Sequence, residues 1–242
     1  MDVLARADQL SWYHAIELAP GRVTDGMFDL RPYVARYGLP ERMDGMRALD
    51  VGTFDGFWAF EMERRGAREV VALDLEHEPE LDWPPRRRGE ADTCAARGDG
   101  FRVAHEALGS SVRRVEGNIY EADPGELGTF DLVFCGSVLI HLRDQLLALE
   151  RIADLCQGRF ICAEAYDPLI ELLPVPVTRY RADRPKSVVF WEPSARTWRR
   201  MLWTAGFDDV EQRARLKLRS RRGFSVRHVV LHARHGTPPA AA

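Results

Sequence analysis

The chain has almost no lysine: Lys186 and Lys217 are the only two, and the other 32 of its 34 basic residues are arginine. Ammonium contacts to a ligand are therefore scarce, and guanidinium groups must serve where an anion is held. No apolar run approaches the ~20 residues that span a bilayer, and no N-terminal signal pattern is present. A soluble, cytoplasmic protein with no membrane partner is expected. The four cysteines, Cys94, Cys135, Cys156 and Cys162, include no C-x-x-C pair. Cys135 and Cys162 lie in apolar runs, which favours reduced core thiols over metal ligands. No pair of acidic residues has the arrangement of a catalytic Mg²⁺ site, so no metal is expected. Also missing is the G-x-G-x-x-G dinucleotide turn. Where it would fall, Phe54 and Phe57 occupy the second and third glycine positions, which disfavours NAD and FAD.

What is present fits one large α/β domain: 242 residues, 45% hydrophobic and 29% charged, enough for a substantial core. Net charge is −3, unevenly divided. Residues 179–235 carry fifteen Lys/Arg against five Asp/Glu, a net of +10, which leaves −13 for the remainder. The basic segment marks either a polyanion site or an arginine-solvated face.

The organising stretch is Met46–Leu75, which reads as one βαβ unit. A short apolar run ends at Asp50, Gly52, Asp55 and Gly56 punctuate a tight turn, and an amphipathic helix follows with Phe57, Trp58, Phe60 and Met62 inward. Gly66 stands where a left-handed cap is expected. A second run, Val70–Leu73, ends in Asp74. Glycines at such a turn let a ligand approach the backbone, and an acid closing the next strand can accept both hydroxyls of a ribose. This is the pattern of a nucleoside cofactor site.

Around this unit the chain divides into an added segment at 1–44, a main domain at 45–235 and a tail at 236–242 expected to be disordered. In the first segment Asp29 should cap a short helix, Leu30–Tyr37. Trp12, Tyr13 and His14 either cover the cofactor cleft or anchor the segment to the core. The insertion Glu76–Asp99, with Trp83-Pro84-Pro85 and Arg86-Arg87-Arg88, is placed to border the site. Asp99 should cap a helix to Leu108. Strands are expected at Ser111–Glu116, Phe130–Cys135 and Arg159–Ala163, the last delivering Glu164, Tyr166 and Asp167 beyond its end. Between the last two, Asp144 caps a helix read as ending at Gly158. Pro168–Pro185 has too many prolines for a regular element. A helix opened by Glu192-Pro193-Ser194 follows, then strands Val210–Arg219 and Phe224–His232. The first alternates Arg213, Arg215, Lys217 and Arg219 with apolar residues, as suits an exposed sheet edge.

The turn at Asp50, Gly52 and Gly56 resembles motif I of class I S-adenosylmethionine (SAM) methyltransferases, with Phe54 replacing the middle glycine. The sequences DVGTFDGFWAFEMERRGA, FDLVFCGSVLIHLRD and RYRADRPKSVVFWEPSARTWRRMLWTAGF are similar to the methyltransferase family that includes the bacterial tRNA wobble-uridine carboxymethyltransferase. The resemblance implies an α/β, Rossmann-like class I methyltransferase fold: a seven-stranded, mostly parallel sheet with an antiparallel last strand and helices on both faces. It implies that Asp50 and the Gly52, Thr53, Phe54 and Gly56 turn hold the methionine end of SAM, with Asp74 and Leu75 at the ribose. Asn118 and Ile119 would lie along the adenine, and Cys135, Gly136 and Ser137 at the turn passing the sulfonium carbon. Candidate bases are His141, Glu164 and His14. Tyr180 matches a tyrosine that contacts the carboxylate of carboxy-SAM in that family, but the lysine expected upstream is missing, with an arginine such as Arg22 the substitute open to the chain. SAM is therefore the expected cofactor, and carboxy-SAM the alternative. A pocket of Trp12, Tyr13, Trp83, Tyr166, Tyr180 and Trp191 would suit a planar or apolar small-molecule acceptor. The leading expectation is methyl transfer to such a molecule. The alternatives are a tRNA wobble-uridine enzyme, a SAM-cyclising enzyme and a non-catalytic SAM sensor.

Overall fold

The structure is a computed structural model that describes residues 2–90, 97–184 and 188–236, with the side chains of 88–90 also outside the description. Cys94, Lys186 and the expected disordered tail from 237 onward fall outside the described residues. The seven strands of the main sheet are β1 (Arg47–Val51), β2 (Glu69–Asp74), β3 (Arg113–Glu116), β4 (Phe130–Gly136), β5 (Cys156–Ala165), β6 (Asp209–Arg219) and β7 (Ser225–Arg234). Their spatial order is β6-β7-β5-β4-β1-β2-β3. β1 to β5 pair in parallel, and β7 runs antiparallel to both neighbours, β5 and β6. Parallel strands covered on both faces should be apolar throughout, and Leu49, Val71, Ala72, Leu132, Val133 and Phe134 are fully buried.

Helices cover both faces. On one side lie α1 (Phe57–Arg64) and α2 (Asp99–Leu108), whose Trp58, Phe60, Met62 and Phe101 share a core with Trp12, Phe28 and Leu30 of the N-terminal segment. On the other, α3 (Gln145–Leu155) and α4 (Ala195–Thr204) contribute Leu149, Ile152, Trp198 and Leu202. Ser194 caps α4 by accepting the Thr197 N–H, and Asp144 caps α3 by accepting that of Leu147, each replacing a partner the first turn lacks. Among the described residues no helix is long and apolar enough to cross a membrane.

Several boundaries differ from the sequence reading, for local reasons. α3 stops at Leu155, and Gly158 lies inside β5. A Cβ there would come 2.2 Å from the Asp131 carbonyl oxygen, so this glycine permits close strand approach and is not a helix stop. At its other end β5 runs on to Ala165, where pairing with β7 takes Glu164 into the sheet. Asp99 lies in the first turn of α2, bonded to Arg102, with Gly98 in the cap position. The helix expected over Leu30–Tyr37 is a 3₁₀ turn, Arg31–Tyr33, running into Val34–Tyr37, with Pro32 at the start. Within the proline-rich stretch, Thr178–Tyr180, which has no proline, forms a small antiparallel ladder with Trp191–Pro193.

Candidate active site

A cleft of about 310 Å³ opens at the carboxyl ends of β1, β2 and β4, the edge at which open α/β sheets take ligands. Its floor is the turn after β1. Gly52 has φ 72°, and a Cβ on it would lie 2.3 Å from a Val138 methyl, so the position needs glycine for conformation and for space. Phe54 is itself left-handed at φ 49°, a conformation that costs an ordinary residue about 1–2 kcal/mol. Its N–H donates to Asp74 Oδ2 at 2.7 Å, which helps hold it there.

Two carboxylates border the cleft. Asp74 closes β2, accepting the Phe54 N–H on one oxygen and the Leu75 N–H, at 2.8 Å, on the other. A carboxylate has about four acceptor positions, so each oxygen retains one for a pair of vicinal hydroxyls. Asp50, only 2% exposed, accepts the Thr53 hydroxyl at 2.8 Å and the Ala59 N–H at 3.1 Å, both on Oδ2. Burial pushes its carboxyl up to about 7, and nearby Asp74 adds to the shift. A cation seated in the cleft would reverse that shift. These residues fit the ribose and the ammonium of SAM. The Arg97 guanidinium lies 4.8 Å over the Phe54 ring and 3.6 Å from Asp74.

Of the residues singled out in the sequence, Tyr13, His14, Asp50, Gly52, Phe54, Asp74, Leu75, Asn118, Ile119, Gly136, Ser137 and His141 line this cleft together. Asn118 uses its side-chain oxygen to accept the Tyr120 N–H at 3.1 Å, capping a turn. The His141 ring places Nδ1 3.1 Å from the Val188 carbonyl, so Nδ1 is the donor and Nε2 keeps the lone pair; burial holds the imidazole neutral. His14 stacks on Phe57 at 5.5 Å. Its Nδ1 is 3.8 Å from Asp55, too far for a hydrogen bond, and burial lowers its pKa to about 3, so the contact is not an ion pair. The Tyr13 hydroxyl is pushed up to about 12, by burial above all.

The others stand apart. Thr53, Gly56, Cys135 and Glu164 are buried behind the cleft wall. Trp12 donates its indole N–H to Ala7, Trp83 to Glu78 and Trp191 to Arg143, each to a backbone carbonyl. Tyr166 lies under the Arg215 guanidinium. Tyr180 is 54% exposed with its ring edge against Trp191. The aromatic residues thus act as separate anchors, and of the expected acceptor-pocket group only Tyr13 lines the cleft.

Sequence reasoning missed the residue that closes the site. Asp55, 1% exposed, accepts the N–H of Tyr13 at 2.7 Å and of His14 at 2.9 Å on Oδ2, clamping the N-terminal segment onto the cofactor turn. Also missed were Arg97 and Val188 in the lining, and His228, whose Nε2 is 2.7 Å from the Ser137 hydroxyl behind it.

A glycine turn after the first strand, an acid closing the second, and a sheet with one antiparallel strand near its edge define a class I SAM-dependent methyltransferase. Residues 26–212 match the model of the methyltransferase domain family, and the chain belongs to that family. It is 27% identical over 167 residues to the tRNA U34 carboxymethyltransferase of Desulforapulum autotrophicum, a match covering 68% of this chain and 45% of that relative's length. Among solved structures it resembles the N-terminal domain of EvdMO1, crystallised in the presence of S-adenosylhomocysteine (SAH) and D-fucose, at 19% identity, TM-score 0.68 and 98% coverage of both chains. It also resembles the Burkholderia thailandensis 1,6-didemethyltoxoflavin-N1-methyltransferase with bound 1,6-didemethyltoxoflavin and SAH, at 19% identity, TM-score 0.53 and coverage of 80% and 72%.

Proposed function

We propose that the cleft binds SAM and transfers its methyl group to a small, uncharged acceptor. Bound SAM supplies a methyl on a positive sulfur, which a nucleophile takes in line from about 3 Å once water is excluded. The chain's own residues hold and orient. Asp74 takes the ribose hydroxyls, Asp50 the ammonium, and Leu75 and Ile119 border the adenine. Tyr13, His14, Ser137, His141 and Val188 surround the acceptor, with His141 Nε2 available to receive its proton.

The observation that carries the small-acceptor reading is the clamp of Asp55 on Tyr13 and His14, and on it we read residues 1–44 as a cap over a SAM domain of residues 45–235. Among the described lining residues Arg97 is the one permanent cation, and it faces Asp74. A polyphosphate chain would find no other cationic partner there. The exposed Arg215, Lys217 and Arg219 stand on β6, at the far edge of the sheet from β1 and β2. The relatives crystallised with D-fucose or a toxoflavin precursor point the same way. Dependence on SAM, an intracellular metabolite, supports a cytoplasmic location.

The curated relative favours a second reading, carboxymethyl transfer to tRNA. The test is label transfer from methyl-labelled SAM, with neutral sugars, toxoflavin precursors and bulk tRNA offered in parallel. Label in small molecules and none in tRNA is expected. Label in tRNA, or tighter binding of carboxy-SAM than of SAM, would move the assignment to the second reading. Turnover of SAM with no acceptor present would favour cyclisation.

A further inference from the structure

Among the described residues Glu164 is the most deeply buried carboxylate, and none of their cations accompanies it. It is 0% exposed, and Oε1 accepts the N–H groups of Val138 and Leu139 at 2.9 and 3.0 Å. Oε2 has no hydrogen-bond partner. The groups that face it are Cys135 on β4, with Sγ 3.9 Å away, Cys162 on β5, and Tyr13 from the N-terminal segment, with Asp50 on β1 beyond Cys135. All are neutral or acidic, and no Arg, Lys or His pairs with it among the described residues. An uncompensated buried charge costs several kcal/mol unless a cation arrives to offset it.

The geometry shows where a cation would come from. Ser137 and Val138 line the cleft, and Glu164, buried outside that lining, holds the Val138 and Leu139 N–H groups. The peptide joining them is trans, so its carbonyl points opposite to its N–H. The N–H is directed at Glu164, so the carbonyl of Ser137 is directed away from it, and Ser137 itself lines the cleft. The neighbouring Val138 carbonyl is occupied by the His141 N–H at 2.9 Å.

We propose that Glu164 is the buried counter-charge to the sulfonium of the cofactor, a positioning residue that turns the Ser137–Val138 peptide dipole onto the positive sulfur and adds its own negative charge one peptide unit behind. This rests on the reading of the cleft as a SAM site. It makes the site prefer the charged donor over SAH, the neutral thioether left after transfer, and so promotes product release. Burial raises the Glu164 carboxyl to about 7. A sulfonium in the cleft favours the ionised form, so SAM binding expels a proton at this residue and SAH binding does not. The ammonium common to both ligands acts on Asp50 equally in the two cases and cancels in their ratio.

The test is calorimetric titration of the ligand-stripped protein with SAM and with SAH between pH 6 and 8. In the wild type the preference for SAM over SAH should fall by up to about tenfold from pH 8 to pH 6, as the ionised fraction of a group near 7 drops from nine tenths to one tenth. In Glu164→Gln, whose side-chain oxygen still accepts the two backbone N–H groups, SAM should weaken about tenfold at pH 8. SAH should change less than about threefold, and the ratio should become independent of pH. Equal losses for both ligands, or a wild-type ratio flat with pH, would overturn the proposal. Should the variant not fold, the wild-type ratio alone decides. Binding of neither ligand would overturn the SAM reading itself.

Discussion

Asp50→Asn should stabilise the ligand-free protein while removing its cofactor affinity. Asp50 is buried with no cation beside it among the described residues, and its carboxyl is raised from 3.8 to about 7. A carboxyl raised in the folded state costs stability wherever the unfolded chain has already ionised. That cost is absent below about pH 4, grows by about 1.4 kcal/mol per pH unit up to about 7, and is constant above. The full interval of roughly three units corresponds to a ceiling of about 4 kcal/mol. Asparagine carries no such cost, and its side-chain oxygen can still accept from Thr53 and Ala59. At pH 8 the variant should therefore melt several degrees higher, at roughly 2–4 °C per kcal/mol for a chain of this size. The gain should vanish at pH 4. SAM should bind at least a hundredfold more weakly, because its ammonium loses a buried anionic partner, an omission that costs about 3–5 kcal/mol. Thermal denaturation from pH 4 to 8 and calorimetry with SAM measure both effects. A melting temperature unchanged or lowered at pH 8, or a gain as large at pH 4 as at pH 8, would refute the reasoning.

Three further outcomes follow from the same turn. Asp74→Ala should weaken SAM at least about a hundredfold in a binding titration, since hydrogen bonds to a charged acceptor are worth about 1.5–3 kcal/mol each and two are lost; unchanged affinity would remove the ribose assignment. Gly52→Ala should lower stability by about 1–2 kcal/mol from its left-handed backbone alone, and the 2.3 Å approach to Val138 should force that side chain into the cleft and reduce SAM binding. Denaturant unfolding and calorimetry check the two effects separately. Asp55→Ala should leave two buried N–H groups unpaired at about 1–3 kcal/mol each and speed amide exchange at Tyr13 and His14. Asp55→Asn, which keeps an acceptor, should stay near wild type, and equal exchange in both variants would argue against the clamp.

The parts legible in the sequence were those built from contiguous residues. Gly52, Phe54 and Asp74 belong to one βαβ unit, so the period of its apolar residues located the turn, and the turn located the cofactor cleft. The side of the cleft where we place the acceptor is lined by residues 13, 14, 137, 138, 141, 142 and 188, and no local pattern joins them. Asp55 read as turn punctuation because its partners lie 41 and 42 residues earlier. Ser137 and His228, 91 residues apart, meet only because β7 runs antiparallel beside β5. Glu164 was misplaced because a charged residue after Arg159–Ala163 read as the end of the strand, whereas β5 runs on to Ala165 and Glu164 pairs with Val229 of β7. The aromatic residues misled for a different reason. An indole needs a partner for its N–H when it is buried, and Trp12, Trp83, Trp191 and Trp198 each find one on a backbone carbonyl. For Trp12 and Trp83 the carbonyl lies five residues earlier, so each ring fastens its own segment. Aromatic content therefore marked where this chain is anchored, whereas Asp50 and Glu164, buried carboxylates beside and behind the cleft, are the features on which we rest a positively charged ligand there.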